Sequence, residues 1–287
     1  MTEANSSLIL ASYNIRYAVG RYLISSGVLR KVGVNPPLRR TAAVRQNIAA
    51  AAKAFSDEKL LPRPHILALQ EADKETGRAG GVHVAQELAE RLAMKCFHAQ
   101  AEIPRGVPPK KRQWWLDFEE QIALNDAGDT GVALLAKGDL RDVKRIDLPW
   151  RECAWRPRLA LAATTSLANT DVRIFNAHID PHPDAIGQLE QLETLVDHAD
   201  DWLGPTIIMG DFNTLSKQKC IDTRAFLERR GYRTPFPTGT ATWRGAGLRF
   251  HADWIFGRGV HFVRHAVARP LNVSDHWPVW AEIDLSA

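Results

Sequence analysis

The feature that most restricts how this sequence can fold is a series of short apolar runs, each of strand length and bounded by Gly, Pro, Asp or Asn. They are Leu8–Tyr13, Ile66–Leu69, Val132–Ala136, Leu159–Thr165, Val172–Ala177, Thr206–Met209, Asp253–Phe256 and Pro278–Ile283. Helical spacing recurs between them. Val44, Ile48, Ala51, Ala52 and Phe55 follow a three- and four-residue pattern with Thr41 as the candidate N-cap. Ile186, Leu189, Leu192, Val196 and Leu203 do the same after Pro183-Asp184. Strands in excess, with about four helices among them, predict a layered α/β protein built on two sheets.

The chain of 287 residues is long enough to bury roughly three quarters of its unfolded surface. No period of 20–50 residues recurs, so one domain over residues 1–287 is expected, with long loops at 17–40 and 101–130. With 45% hydrophobic and 24% charged residues, a disordered chain is excluded. No apolar run approaches the ~18 residues of a membrane span. The opening MTEANSSLIL is acidic and its apolar stretch short, unlike a signal peptide, so the expected location is cytoplasmic. Cys96, Cys153 and Cys220 are odd in number and far apart, as expected of reduced thiols. The net charge of +4 is unevenly placed: no acid occurs between Glu3 and Asp57, while Arg16, Arg21, Arg30, Lys31, Arg39, Arg40, Arg45 and Lys53 accumulate. A single-sign field of this kind attracts polyanions.

Several apolar runs lead directly into a polar residue that a core does not need. Asn14 follows LILASY, Glu71 follows ILALQ, His178 follows VRIFNA and Asp211 follows TIIMG, while Asp253 and the Ser274-Asp275-His276 triplet flank the last runs. Singly, each could be an ordinary strand terminator. Together they mark the strand ends where α/β sheets bind ligands.

These residues lie in YNIR (13–16), LQE (69–71), NAHID (176–180), GDFN (210–213), DWI (253–255) and SDH (274–276). In order and spacing the six motifs resemble the endonuclease/exonuclease/phosphatase superfamily, over residues 8–283. The superfamily includes DNase I-like nucleases, abasic endonucleases, neutral sphingomyelinases, inositol-polyphosphate 5-phosphatases, deadenylases and tyrosyl-DNA phosphodiesterases. The resemblance implies a four-layered α/β sandwich, two central mainly antiparallel or mixed β-sheets flanked by helices, and a metal-dependent phosphoesterase site. It implies Glu71, with Asn14 and Asp275, as ligands of Mg²⁺, with Mn²⁺ as a substitute; hard cations favour such oxygen donors. It also implies Asp211 and His276 as catalytic groups, either of them the general base. Asn213 would orient the water or phosphate, Asp253 would partner His276, and His178 would donate to the phosphoryl oxygens.

Departures from the family narrow the substrate. His178 and Asp129 stand where abasic endonucleases of the exonuclease III type carry Tyr, and the lysine-rich pocket of the 5-phosphatases is missing. Candidate substrate contacts are Arg158 before its strand, Trp243 and Phe250 near Asp253, and Lys111 and Trp114 in the basic, aromatic 104–115 loop. Arg156, His182 and Trp254 are weaker candidates of the same kind. The leading expectation is a monomeric Mg²⁺-dependent phosphodiesterase acting on nucleic acid. The alternatives are the same site working on a phospholipid or small phosphate ester, with Trp114-Trp115 as a peripheral membrane contact, and a non-catalytic binding protein on the same fold.

Overall fold

The computed structural model describes residues 7–20, 37–105, 122, 125–149, 157–181, 184–245 and 247–285. Its strands are β1 (Leu8–Asn14), β2 (Ile66–Gln70), β3 (Lys95–Gln100), β4 (Gly131–Ala136), β5 (Arg141–Leu148), β6 (Arg158–Leu167), β7 (Thr170–His178), β8 (Thr206–Asp211), β9 (Trp243–Gly245), β10 (Leu248–Phe250), β11 (Asp253–Arg258), β12 (His261–Val267) and β13 (Val279–Asp284). The helices are α1 (Pro37–Ser56), α2 (Val84–Leu92), α3 (Ala185–Asp200) and α4 (Lys217–Arg229), with a 3₁₀ turn at Arg16–Ala18.

One sheet has six strands in the order β12-β13-β1-β2-β4-β3, and the other has five in the order β11-β8-β7-β6-β5. Each contains one parallel pair, β1–β2 and β7–β8, in an otherwise antiparallel ladder. Period-two alternation divides the side chains. Leu8 and Leu10 face Leu161, Ile174, Ile207 and Met209 between the sheets. Ala11 and Tyr13 point outward to Val44, Ile48 and Phe55 of α1 and Leu88 of α2. Phe175, Ile208 and Phe256 point the other way, to Leu192 and Val196 of α3 and Leu227 of α4. The result is helices, sheet, sheet, helices: the four-layered sandwich expected from the sequence. No described helix is long and apolar enough to cross a membrane.

Every run read as a strand forms one. The strands that the sequence hid are β3, β5, β12 and the β9–β10 hairpin. β3, β5 and β12 are sheet edges, and their mixed, charged surfaces lack an apolar alternation because an edge has little to bury. Two helix limits also differ. α1 begins at Pro37, since proline's fixed φ suits a first helical turn. Thr41 is therefore inside α1, and instead of capping it donates Oγ1 to Gly80 O at 2.8 Å. α3 is capped by Asp184, whose side chain accepts from Gly187 N, and it stops at Asp200. Leu203 lies beyond it, fully exposed, just before Gly204-Pro205. Cys220 is a buried free thiol and Cys96 a half-buried one; Cys153 lies outside the described residues.

His251 shows what burial does to a titratable ring. It stacks on Trp254 with centroids 3.5 Å apart. Burial pushes its pKa down to about 3. Because the folded value lies below the unfolded one, this ring favours the native state above pH ~6.5 and loses that advantage as pH falls toward 3. At pH 5 the loss is about 2 kcal/mol relative to neutral pH. His251→Phe keeps the stack and should flatten this part of the acid sensitivity. Urea midpoints of both proteins at pH 5 and 7.5 check it; parallel pH trends would exclude His251 as the source.

Candidate active site

Each parallel pair ends on the same side of the sandwich. Asn14 lies opposite Gln70 across β1–β2, which places Glu71 one residue beyond. In the other sheet His178 lies opposite Asp211 across β7–β8, and Asp253 lies opposite Asp211 across β8–β11. Three candidate residues thus stand side by side in register. His276 joins them from the segment before β13, which pairs with Trp243 of β9.

Buried hydrogen bonds link the two sheets at this end. Gln70 Nε2 donates to Asn176 Oδ1 at 2.7 Å and to Ser12 Oγ at 3.1 Å. Asn176 Nδ2 donates back to Leu69 O and Ala133 O. Asn14 Nδ2 donates to Asp211 Oδ2 at 2.9 Å, while Asn14 Oδ1 accepts from Arg16 N. Asp211 Oδ1 accepts from Asn213 N at 2.9 Å, and Asn213 Nδ2 donates to Ile179 O. Asp211 is therefore held on both oxygens.

Two imidazoles flank it. His276 Nε2 lies 3.7 Å from Asp211 Oδ2, and His276 Nδ1 lies 2.9 Å from Asp253 Oδ2. His178 Nε2 lies 3.6 Å from Asp211 Oδ2 and 3.9 Å from Glu71 Oε1. Burial pushes the Asp211 carboxyl up to about 7, a rise that the His276 charge only partly offsets. Burial works the other way on His276, yet Asp253 and Asp211 outweigh it and bring the imidazole up to about 10. The site thus pairs a cationic histidine with a carboxyl balanced near neutrality.

Asp211, Asp253 and His276 offer ligand atoms within 4.8 Å of one another. The trio is thus close enough to share a proton or to hold an ion. The oxygen donors of Glu71, Asn14 and Asp275 fit a hard, hydrated cation in type. Asp275 is oriented by Trp243 Nε1, which donates to Oδ2 at 3.0 Å, with Arg16 Nε at 3.7 Å. Ser274 Oγ ties the same segment to Asn14 O at 2.8 Å.

Arg158 opens β6 and is buried, with Nη1 3.0 Å from both ring nitrogens of His178. With Tyr17, Glu71, Arg78 and His178 it lines a recess of about 20 Å³, room for a water or an ion. Trp243 and Phe250 stack on one face of the β9–β10 hairpin, centroids 5.4 Å apart. Trp254 is fully buried and donates Nε1 to Thr214 Oγ1, which removes it as a substrate contact. Asp129 is also buried, accepting from Thr130 N and Ile103 N. Lys111, Trp114, Arg156 and His182 lie outside the described residues.

The sequence reading missed Asp73, Arg78 and Tyr17. Arg78 donates Nε and Nη2 to the two oxygens of Asp73 at 2.7 and 2.8 Å, and its guanidinium lies 3.4 Å from the Tyr17 ring centroid. Burial would lower the Arg78 pKa, but the Asp73 charge outweighs it and the net direction is up. The D-x-x-T-x-R spacing just after LQE was the available signal. The clamp holds a strained region: Arg16, Tyr17 and Ala18 have φ of 47°, 56° and 57°, and Glu71 has φ of 52°. Left-handed backbone costs L-residues about 1–2 kcal/mol each, and such strain gathers at functional sites.

Residues 11–276 match the Endonuclease/Exonuclease/phosphatase family, and the chain belongs to it. Solved structures share the fold. An endonuclease/exonuclease/phosphatase from Beutenbergia cavernae DSM 12333 superposes with a TM-score of 0.68 at 17% identity, covering 99% of this chain and 72% of that one. Humanized D. rerio TDP2 gives 0.58 at 15% identity, covering 98% and 100%. ANGEL2, described as a 2′,3′-cyclic phosphatase, gives 0.62 at 14% identity, covering 100% and 97%. No curated protein matches the sequence.

The Asp73–Arg78 pair yields a stability prediction. Asp73→Ala removes the bidentate carboxylate from a buried guanidinium and should cost about 3–5 kcal/mol. The double variant Asp73→Leu/Arg78→Met should recover most of that. Urea unfolding of the two variants measures it, and equal losses in both would show that the ion pair is not the source.

Proposed function

We propose that this protein is a Mg²⁺-dependent phosphodiesterase that cleaves nucleic acid. The supporting observation is the alignment of His178, Asp211 and Asp253 across one sheet end, with His276 bound to Asp253 and Asn14 reaching Asp211 from the other sheet. Glu71, Asn14 and Asp275 would hold the cation, which when bound supplies Lewis-acid polarisation of a phosphoryl oxygen.

The chain's own residues divide the remaining work. Asp211, held by Asn14 and Asn213 between the two imidazoles, accepts a proton from the attacking water. Asn213, anchored on Ile179 O, keeps the Asp211 carboxylate in place through its backbone N–H. His276 stays protonated beside Asp253 and donates from Nε2 to an oxygen on which charge develops. His178 and Arg158 supply further donors from the same wall of the recess. Trp243 and Phe250 offer a half-buried ring pair beside Asp275 for a base of the substrate.

Nicking of supercoiled plasmid tests this reading. The expected result is turnover with Mg²⁺ or Mn²⁺, loss with EDTA, and a rate lower by about 10²–10⁴ in His276→Ala and Asp211→Asn. Cleavage that persists in EDTA would overturn the metal assignment. An intact plasmid alongside hydrolysis of a sphingolipid or small phosphate ester would move the substrate to that class.

A further inference from the structure

The β9–β10 hairpin carries rings on one face and cations on the other. Arg249 of β10 lies directly opposite Arg244 of β9, and like charges facing across an antiparallel pair are destabilising. A third arginine joins them. Arg244 and Arg269 both stack on Trp277, with guanidinium carbons 4.4 and 4.5 Å from the ring centroid. Burial, and then the charge of Arg249, lower the Arg269 pKa.

Several arginines elsewhere on the surface have a carboxylate partner. Arg141 pairs with Asp171, Arg145 with Glu102 and Asp147, Arg258 with Asp200 and Arg264 with Glu282. Among the described residues neither Arg249 nor Arg269 has a carboxylate in ion-pair range, and both are exposed. Arg244 is anchored to Leu271 O and Asn272 Oδ1, which holds its guanidinium against Trp277. The cluster adjoins the site, because Arg244 N donates to Asp275 O at 2.9 Å and Trp243 pairs with His276.

We propose that Arg244, Arg249 and Arg269 form a phosphate track that holds the nucleic-acid strand beyond the bond being cut. The track rests on the phosphodiesterase reading and deepens it: the substrate is a polyanionic chain that engages the protein at more than one phosphate. A cationic file on one face of the hairpin suits successive phosphates of a single strand. Insertion into a lipid surface needs an apolar face, and among the described residues of this hairpin only Leu248 is an exposed large hydrophobic.

The experiment is binding of a fluorescein-labelled single-stranded oligonucleotide, followed by anisotropy in EDTA from about 50 to 200 mM salt. Arg249→Gln and Arg269→Gln should each weaken binding and shrink the slope of log K against log[salt] by about 0.7, as expected for one lost phosphate contact. Arg249→Lys and Arg269→Lys should restore the slope. Unchanged affinity and slope in the glutamine variants would overturn the track. So would glutamine variants that lose binding to phosphatidylserine vesicles while keeping the oligonucleotide. The underlying reading is tested separately by wild-type turnover of bis(4-nitrophenyl) phosphate in Mg²⁺. Failure there with the salt effect intact would remove the catalysis and leave the track.

Discussion

The hydrogen bond from Asn14 Nδ2 to Asp211 Oδ2 joins the end of β1 in one sheet to the end of β8 in the other, and the site depends on it. Two apolar sheet faces pack without strong directional preference, since burial of hydrocarbon is non-directional. The Gln70–Asn176 bond, made between fully buried residues, supplies direction. Sliding one sheet over the other would strand these amides without partners, at about 1–3 kcal/mol for each unsatisfied group. The same contacts that fix the stacking therefore bring Glu71, Asp275 and His276 from one sheet to His178, Asp211 and Asp253 of the other.

Burial at this end makes the charges interdependent. Asp211 and His276 are both removed from water, and each is shifted through the other as well as through Asp253. The backbone is held in costly conformations in the same place: Arg16 to Ala18, Glu71 and Asn213 all have positive φ. The Asp73–Arg78 clamp against Tyr17 braces that backbone, two residues from Glu71. Several polar groups that would be costly in an ordinary core are here paired with one another, Asp211 on both oxygens and Asp253 with His276.

How much could be read from the sequence follows the burial of each strand. Strands inside the sheets, such as β2 with its uniformly buried ILALQ, announce themselves because both faces are covered. The edges β3, β5 and β12 face water on part of their surface and carry Lys95, Lys144, Arg145 and Arg264, so no apolar pattern marks them. In α1, Thr41 looks like a cap by its side chain, but its partner is Gly80 in a distant loop, a contact no local pattern contains. Trp254 shows the limit in the other direction. Beside Asp253 in HADWIF it is a weak candidate for stacking on substrate, and strand alternation turns it into the core against α4.

By itself the sequence determined the fold class, the interior strands and the polar residues at their ends. These are encoded locally, in side-chain alternation along a strand and in the residue types that break it. Only the tertiary structure decided which of those residues meet. Asn14 and Asp211 are 197 positions apart, and Ser274 reaches Asn14 O across 260. Their contact is set by strand register and by the stacking of the two sheets. The same is true of the arginines on Trp277 and of the clamp beneath Tyr17, whose chemistry arises from neighbours that the chain order keeps apart.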